Sequence, residues 1–242
     1  MLRSGPVGVA APWMFIAWFF VNSTKSLRST VMRHLLFSLS TALFLGLSAG
    51  VASAQTETHQ PVEPSLDDVR AAADRYRDVS VALEEGYIPD PMNVCDTAEM
   101  MGQPAELGVM GIHYLRPDLL GITKTEPRVD GTSTHTDFLQ PSVLIYEPQE
   151  DGTLELIAVE NLVFKKSWEQ AGHTAAPTFQ NVAYNLMEDD PATDVDEAHM
   201  FEPHYDLHVW LFRENPNGTF AQYNPAATCA YHKPAAPGHH QH

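Results

Sequence analysis

The stretch HYDLHVW, residues 204–210, decides how this chain is read. His204, Asp206 and His208 fall at every second position, with Tyr205, Leu207 and Val209 between them. Successive side chains of a strand point to opposite faces. The alternation therefore sets apolar groups on one face and two imidazoles with a carboxylate on the other. That polar row is either a metal or catalytic site or an ordinary wet face. In the second case Asp206 caps a turn or meets solvent, and His204, following Pro203, is exposed.

Three further segments read as strands: GVMGIHYL (108–115), SVLIYEP (142–148) and LELIAVENLVF (154–164), all rich in β-branched, aromatic and aliphatic residues. Residues 142–164 form a predicted hairpin turning at Asp151-Gly152, and NPNG at 215–218 is a second turn signal. Upstream, Ser65 with Asp68 three residues on is a capping-box variant. Val69, Ala72, Tyr76, Val79 and Leu83 then recur at helical spacing, which predicts one helix stopping at Gly86. The segment 165–203 is polar and broken by Pro177, Pro191 and Pro203. It is read as a surface crossing with a short helix around 178–187. One helix followed by antiparallel strands predicts an α+β fold, mainly β: an N-terminal helix packed on a twisted antiparallel sheet or small barrel, with a cupin-like barrel among the forms considered. Neither a glycine-rich phosphate loop nor a GxSxG elbow is present.

Alternation extends the polar row to the neighbouring strands. Gly111, His113 and Leu115 share a face, with Ile112 and Tyr114 opposite. Leu154, Leu156, Ala158, Glu160 and Leu162 share another, so Glu160 interrupts an apolar row. A carboxylate buried alone is expensive and needs a cation, a hydrogen-bond network or a raised pKa. If the faces converge, His113, Glu160 and His208, with His204, form a ligand set for a divalent transition metal: Zn, Mn, Fe, Ni or Cu. Four residues of strand span about 13 Å, so His204 and His208 do not share one ion on a flat strand, and His208 takes precedence. The rival reading is structural, with His208 bonded to Glu160 as a charged lock between two strands. The remaining candidates are His135 with Asp137 in a Thr-rich loop, and His173 and His199 in the crossing segment. Met92, Met100, Met101 and Met110 are scattered and read as packing residues.

The chain has 242 residues with 14 Lys+Arg against 31 Asp+Glu, a formal net charge of −17. Residues 1–54 hold four of the basic residues (Arg3, Lys25, Arg28, Arg33) and no acidic one. The rest is more acidic still and repels nucleic acid and anionic lipid. From Met32, a basic start, an apolar run and Ala52-Ser53-Ala54 predict a signal peptide over 32–54. Residues 1–31, with the apolar run 7–21, are read as lying upstream of the natural start. A single globular domain over 55–233 is expected, then a disordered His-rich tail, 234–242, which continues from His232 to His239, His240 and His242. No stable membrane insertion is expected after cleavage. Two cysteines in an exported chain predict one disulfide, Cys95–Cys229.

GVMGIHYLRP (108–117), LIYEP (144–148), LIAVENL (156–162), HYDLHVWLF with NPNGTF (204–220) and YNPAATC (223–229) together resemble a widespread group of small exported bacterial proteins. The five segments occur in the group's order, and His113, Glu160 and His208 match it. Ile112, Arg116 and Asn161 depart from its usual residues. The resemblance implies export to the periplasm or medium and a shared single-domain fold, and lends no activity. The expectation is an exported protein that binds a divalent metal or small ligand on its sheet, with a metalloenzyme as one form. The rival is a non-enzymatic ligand-binding or structural module.

Overall fold

The computed structural model describes residues 62–233; the leader and the His-rich tail lie outside them. The capping box forms as read. Asp68 N–H donates to Ser65 Oγ at 3.2 Å, and Ser65 N–H donates to Asp68 Oδ2 at 3.0 Å. The expected single helix is nevertheless broken. Helix α1 (Leu66–Ala73) passes into a 3-10 turn (Asp74–Arg77), and α2 (Val79–Glu84) starts afresh. The break is at Asp78, which is extended and takes the Ser80 N–H on its side chain. A residue that caps a new helix cannot continue the old one. After the break the buried residue is Ala82, while Leu83 is exposed.

The strands follow in chain order as β1 (Ile88–Pro89), β2 (Cys95–Thr97), β3 (Val109–Leu115), β4 (Ile122–Lys124), β5 (Asp130–Gly131), β6 (Val143–Pro148), β7 (Leu154–Phe164), β8 (Thr178–Phe179), β9 (Val182–Ala183), β10 (Asn185–Met187) and β11 (His204–Val209). Two short helices intervene, α3 (Pro117–Leu120) and α4 (Lys165–Gln170). The main sheet runs β1-β3-β6-β7-β11-β10, with β2 also on β3, and all its pairings are antiparallel. Among the described residues no pairing joins β1 to β10, so the sheet is open and the cupin-like barrel is not seen. The 142–164 hairpin forms as expected, and Gly152 at its turn has φ +86. The helix expected near 178–187 is instead the short strands β8, β9 and β10, and the helix of that crossing segment is α4.

Both faces of the sheet are covered. On one, Val69, Ala73, Tyr76 and Ala82 pack on Tyr114, Leu144, Tyr146, Val159, Leu207 and Val209. Burying each large aliphatic side chain is worth about 1.5–3 kcal/mol over leaving it exposed. On the other, Val143, Ile145, Ala158, Leu162 and Phe164 meet Leu120, Val129 and Phe201. The row His204, Asp206, His208 lies on this second face and is fully buried, not wet. A bulge corrects the alternation of β7. Ile145 pairs with Ala158 and Tyr146 with Leu156, leaving Ile157 unmatched. An extra residue reverses the faces on either side of it. Leu154 and Leu156 therefore join the helix-covered core, while Ala158, Glu160 and Leu162 stay on the other face.

Cys95 and Cys229 are bridged, with Cα atoms 5.7 Å apart and a sequence separation of 134. The bond ties β2 to the C-terminal segment. Closing so long a loop is worth about 5 kcal/mol in the chain-entropy model. Replacing both cysteines by alanine is expected to lower the urea midpoint by the equivalent of several kcal/mol; an unchanged midpoint would show that the bridge does not constrain the unfolded chain.

Candidate metal centre

Register brings the site together. His208 pairs with Glu160, Leu162 with Asp206 and His113 with Ile145, so β3, β7 and β11 present their polar residues on one face, with the apolar β6 between β3 and β7. Glu160 Oε2 lies 3.4 Å from His113 Nε2 and 3.3 Å from His208 Nε2. One ligand atom from each of these three residues lies within 4.8 Å of the others, and all three residues are buried. The three candidates taken from different strands are thus brought to one place.

The contacts are not hydrogen bonds. Both ring nitrogens of His113, both of His208 and both oxygens of Glu160 are buried without an aligned partner. Charge-assisted N–H···O bonds measure about 2.7–2.9 Å, shorter than the Glu160 contacts. His113 Nδ1 lies 2.9 Å from Asp96 Oδ2, a hydrogen-bond length without its alignment. Asp96 reaches this position because β2 pairs it with Gly111. Gly111 has φ +118, and a β-carbon there would stand 2.8 Å from Ile145 Cγ2 and 2.9 Å from the Tyr146 carbonyl oxygen. Only glycine tolerates both conditions.

His204 is not in this group. Its Nδ1 lies 3.0 Å from the Glu202 carbonyl, which can only accept, so Nδ1 carries the proton and Nε2 is left with a free lone pair. With His199 and Asp206 it forms a second group whose ligand atoms lie within 4.8 Å of one another. Two expectations are corrected here: His204 and Asp206 are both fully buried, neither exposed nor capping a turn. His199 arrives from the crossing segment on a turn in which His199 (φ 38) and Met200 (φ 70) are left-handed. Asp196 fastens that turn through the Met200 N–H, and Arg128 in turn holds Asp196 at 2.8 Å.

Sequence reasoning passed over Asp96 and could not place His199. Asp96 stands in a three-residue strand with no periodicity to read, and His199 depends on a turn. Asp206 lay in the quoted row, and its alternation was the available signal. The other candidates lie elsewhere. His135 Nε2 meets the Gln140 carbonyl and Asp137 receives the Leu139 N–H within their loop. His173 stacks on Trp168 at 3.6 Å between ring centres. The scattered methionines partly reassemble: Met92, Met100, Met101 and Met200 line a pocket of about 110 Å³ with Asp96 and His199 on its wall. A larger cleft of about 400 Å³ around Lys124, Lys165 and Glu202 touches none of the histidines.

The electrostatics divide the imidazoles. Burial works against a charge on His113, but Asp96 and Glu160 outweigh it and hold its pKa well above the usual histidine value. Burial pushes His208 down to about 4 against the pull of Glu160, and His204 down to about 3. His199 is lowered by burial as well. Burial, with Glu160 nearby, raises Asp206 well above the usual carboxylate range. Burial also opposes the charge of Glu160, but His208 and His113 prevail and lower its pKa. The protonated partner of Glu160 is therefore His113, not His208 as the lock reading required.

Family models, curated proteins and solved structures gave no match to this chain.

These directions set a stability optimum for the metal-free protein. Below about pH 6.5 the unfolded chain protonates His204 and His208, which the folded protein, with values of about 3 and about 4, keeps neutral, while His113 is charged in both states. His199 is shifted in the same direction, and Asp206 works oppositely. The unfolded state then binds the more protons, so acidification from pH 6.5 to 5 destabilises by on the order of 1–3 kcal/mol per pH unit. Above about pH 6.5 the unfolded histidines are neutral, whereas folded His113 keeps its proton, so the stability it contributes is lost as pH rises through its folded value. Denaturant melts of chelator-treated protein from pH 5 to 8 should peak near the middle; a monotonic rise to pH 8 would contradict this charge assignment.

Proposed function

We propose that this is an exported metal-binding protein in which one divalent transition ion sits between His113, Glu160 and His208. The observation that carries the reading is the pair of contacts at 3.4 and 3.3 Å to Glu160 Oε2. Metal–ligand bonds of about 2.0–2.1 Å in a tetrahedral site set neighbouring ligand atoms about 3.3–3.4 Å apart. The distances are long for hydrogen bonds and right for the edges of a coordination tetrahedron. Asp96 beside His113 Nδ1 adds the carboxylate–histidine arrangement that fixes a ligand's tautomer and raises its basicity. Two nitrogens and one oxygen suit Zn, Mn, Fe, Ni or Cu. Three protein ligands leave a coordination position open, and such an ion would act as a Lewis acid and lower the pKa of a bound water.

A structural module with an internally satisfied polar cluster is the rival. The buried nitrogens and oxygens without partners weigh against it, because satisfaction is what that reading requires. Export is supported by the disulfide, by the signal-like segment 32–54 and by the resemblance carried on five ordered motifs. No helix among the described residues is long and apolar enough to cross a membrane.

Tag-free protein is expected to carry a stoichiometric divalent ion, or to take one up from Zn, Mn, Fe, Ni or Cu. At a free metal concentration 100 times Kd the ion should stabilise the fold by about 2.7 kcal/mol. Glu160→Gln, which keeps shape, and His113→Ala should each abolish that gain. Protein that binds none of the five metals and melts identically with and without chelator would sink the proposal.

A further inference from the structure

The row that opens the sequence is longer than one ion needs. His208, Asp206 and His204 follow one another on the same face of β11, and about 13 Å separate its ends along the strand. His208 meets Glu160 and His113 at one end. At the other, His204 meets His199 with ring centres 5.3 Å apart and planes at 89°. His199 Nε2, His204 Nε2 and both carboxylate oxygens of Asp206 are buried without a hydrogen-bond partner. The Glu202 carbonyl already takes the Nδ1 proton of His204, so the remaining nitrogen offers a lone pair. The ring of His199 lies 5.8 Å from that of His113, so the two groups adjoin.

We propose that His199, His204 and Asp206 hold a second divalent transition ion beside the one between His113, Glu160 and His208. This rests on the reading of the first site. The donor set repeats it, two imidazoles and one carboxylate, and selects the same borderline metals. A lone structural histidine would not explain the cost of the site. Asp206 is fully buried with neither carboxyl oxygen hydrogen-bonded among the described residues, and a buried polar group left without a partner is unfavourable in either protonation state. The turn bearing His199 places two consecutive non-glycine residues in left-handed backbone to deliver one ring to the cluster, and such strain persists only where the surroundings enforce it. His199 and Asp96 both line the methionine pocket, so the pocket reaches the second group directly at His199 and stands one residue, Asp96, from His113 of the first.

Equilibrium dialysis against zinc at neutral pH, with elemental analysis, tests this. The full chain is used with His239, His240 and His242 changed to alanine, to remove tail binding. Two zinc ions per chain are expected. His204→Gln should retain one, His208→Gln should retain one, and the double variant none. Asp206→Asn, which keeps the volume of the side chain, repeats the first loss should His204→Gln fail to fold. One ion in the parent would overturn the second site and leave the first standing; no ion would overturn both. Two ions in both the parent and a folded His204→Gln would also overturn the assignment.

Discussion

A carboxylate at 1 % exposure with no lysine or arginine bonded to it among the described residues is the constraint around which this fold is arranged. Desolvating such a charge costs several kcal/mol even after relaxation, so it survives only where positive charge is brought to it. Here both side chains against Glu160 are imidazoles, and His113 carries the charge. The bulge at Ile157 keeps Glu160, Ala158 and Leu162 on the face shared with His208. Gly111 lets β2 approach, and Asp96 comes with it. The disulfide from the adjacent Cys95 then fixes β2 to the end of the chain. A change at any of these positions is felt at Glu160 through geometry, before any direct contact is lost.

Much of this was legible in the sequence, for a definite reason. The central strands are regular, so a period of two assigns His113 and His208 to faces without knowledge of partners. Alternation also assigns Glu160 to its observed face, but not the residues before it: the bulge moves Leu154 and Leu156 to the opposite side. A bulge depends on the partner strand and leaves no mark in local periodicity. The helix failed for a similar reason. Its spacing was right as far as Tyr76, and Asp78 then capped a second helix. His199 was illegible because its place is set by a turn that Arg128 holds from 68 residues away.

Much of the sequence around the site residues serves as scaffold. Glu147, in LIYEP, receives Arg213 Nη2 at 2.5 Å and the Thr228 N–H at 2.7 Å, seating the chain next to Cys229. Asn215 and Asn224 hold the two NP turns through the carbonyls of Tyr223 and Glu214. The Trp210 indole donates to the Ala221 carbonyl while its ring lies along His208. Two further polar residues of these segments are also tied up outside the ligand set. Asn161 accepts the Ser142 N–H beside the strand end, and Arg116 pairs with Asp118 and covers the Tyr87 ring. The motifs thus build the frame, and the metal reading rests on the histidines and carboxylates within it.

The central claim is a location, and anomalous scattering tests a location directly. Crystals of the protein grown with zinc, measured on both sides of the zinc absorption edge, should show an anomalous peak about 2.0–2.1 Å from a ring nitrogen of His113, from one of His208 and from a Glu160 oxygen. Ordered imidazoles and carboxylate with no peak between them, or a peak confined to surface histidines, would contradict the account.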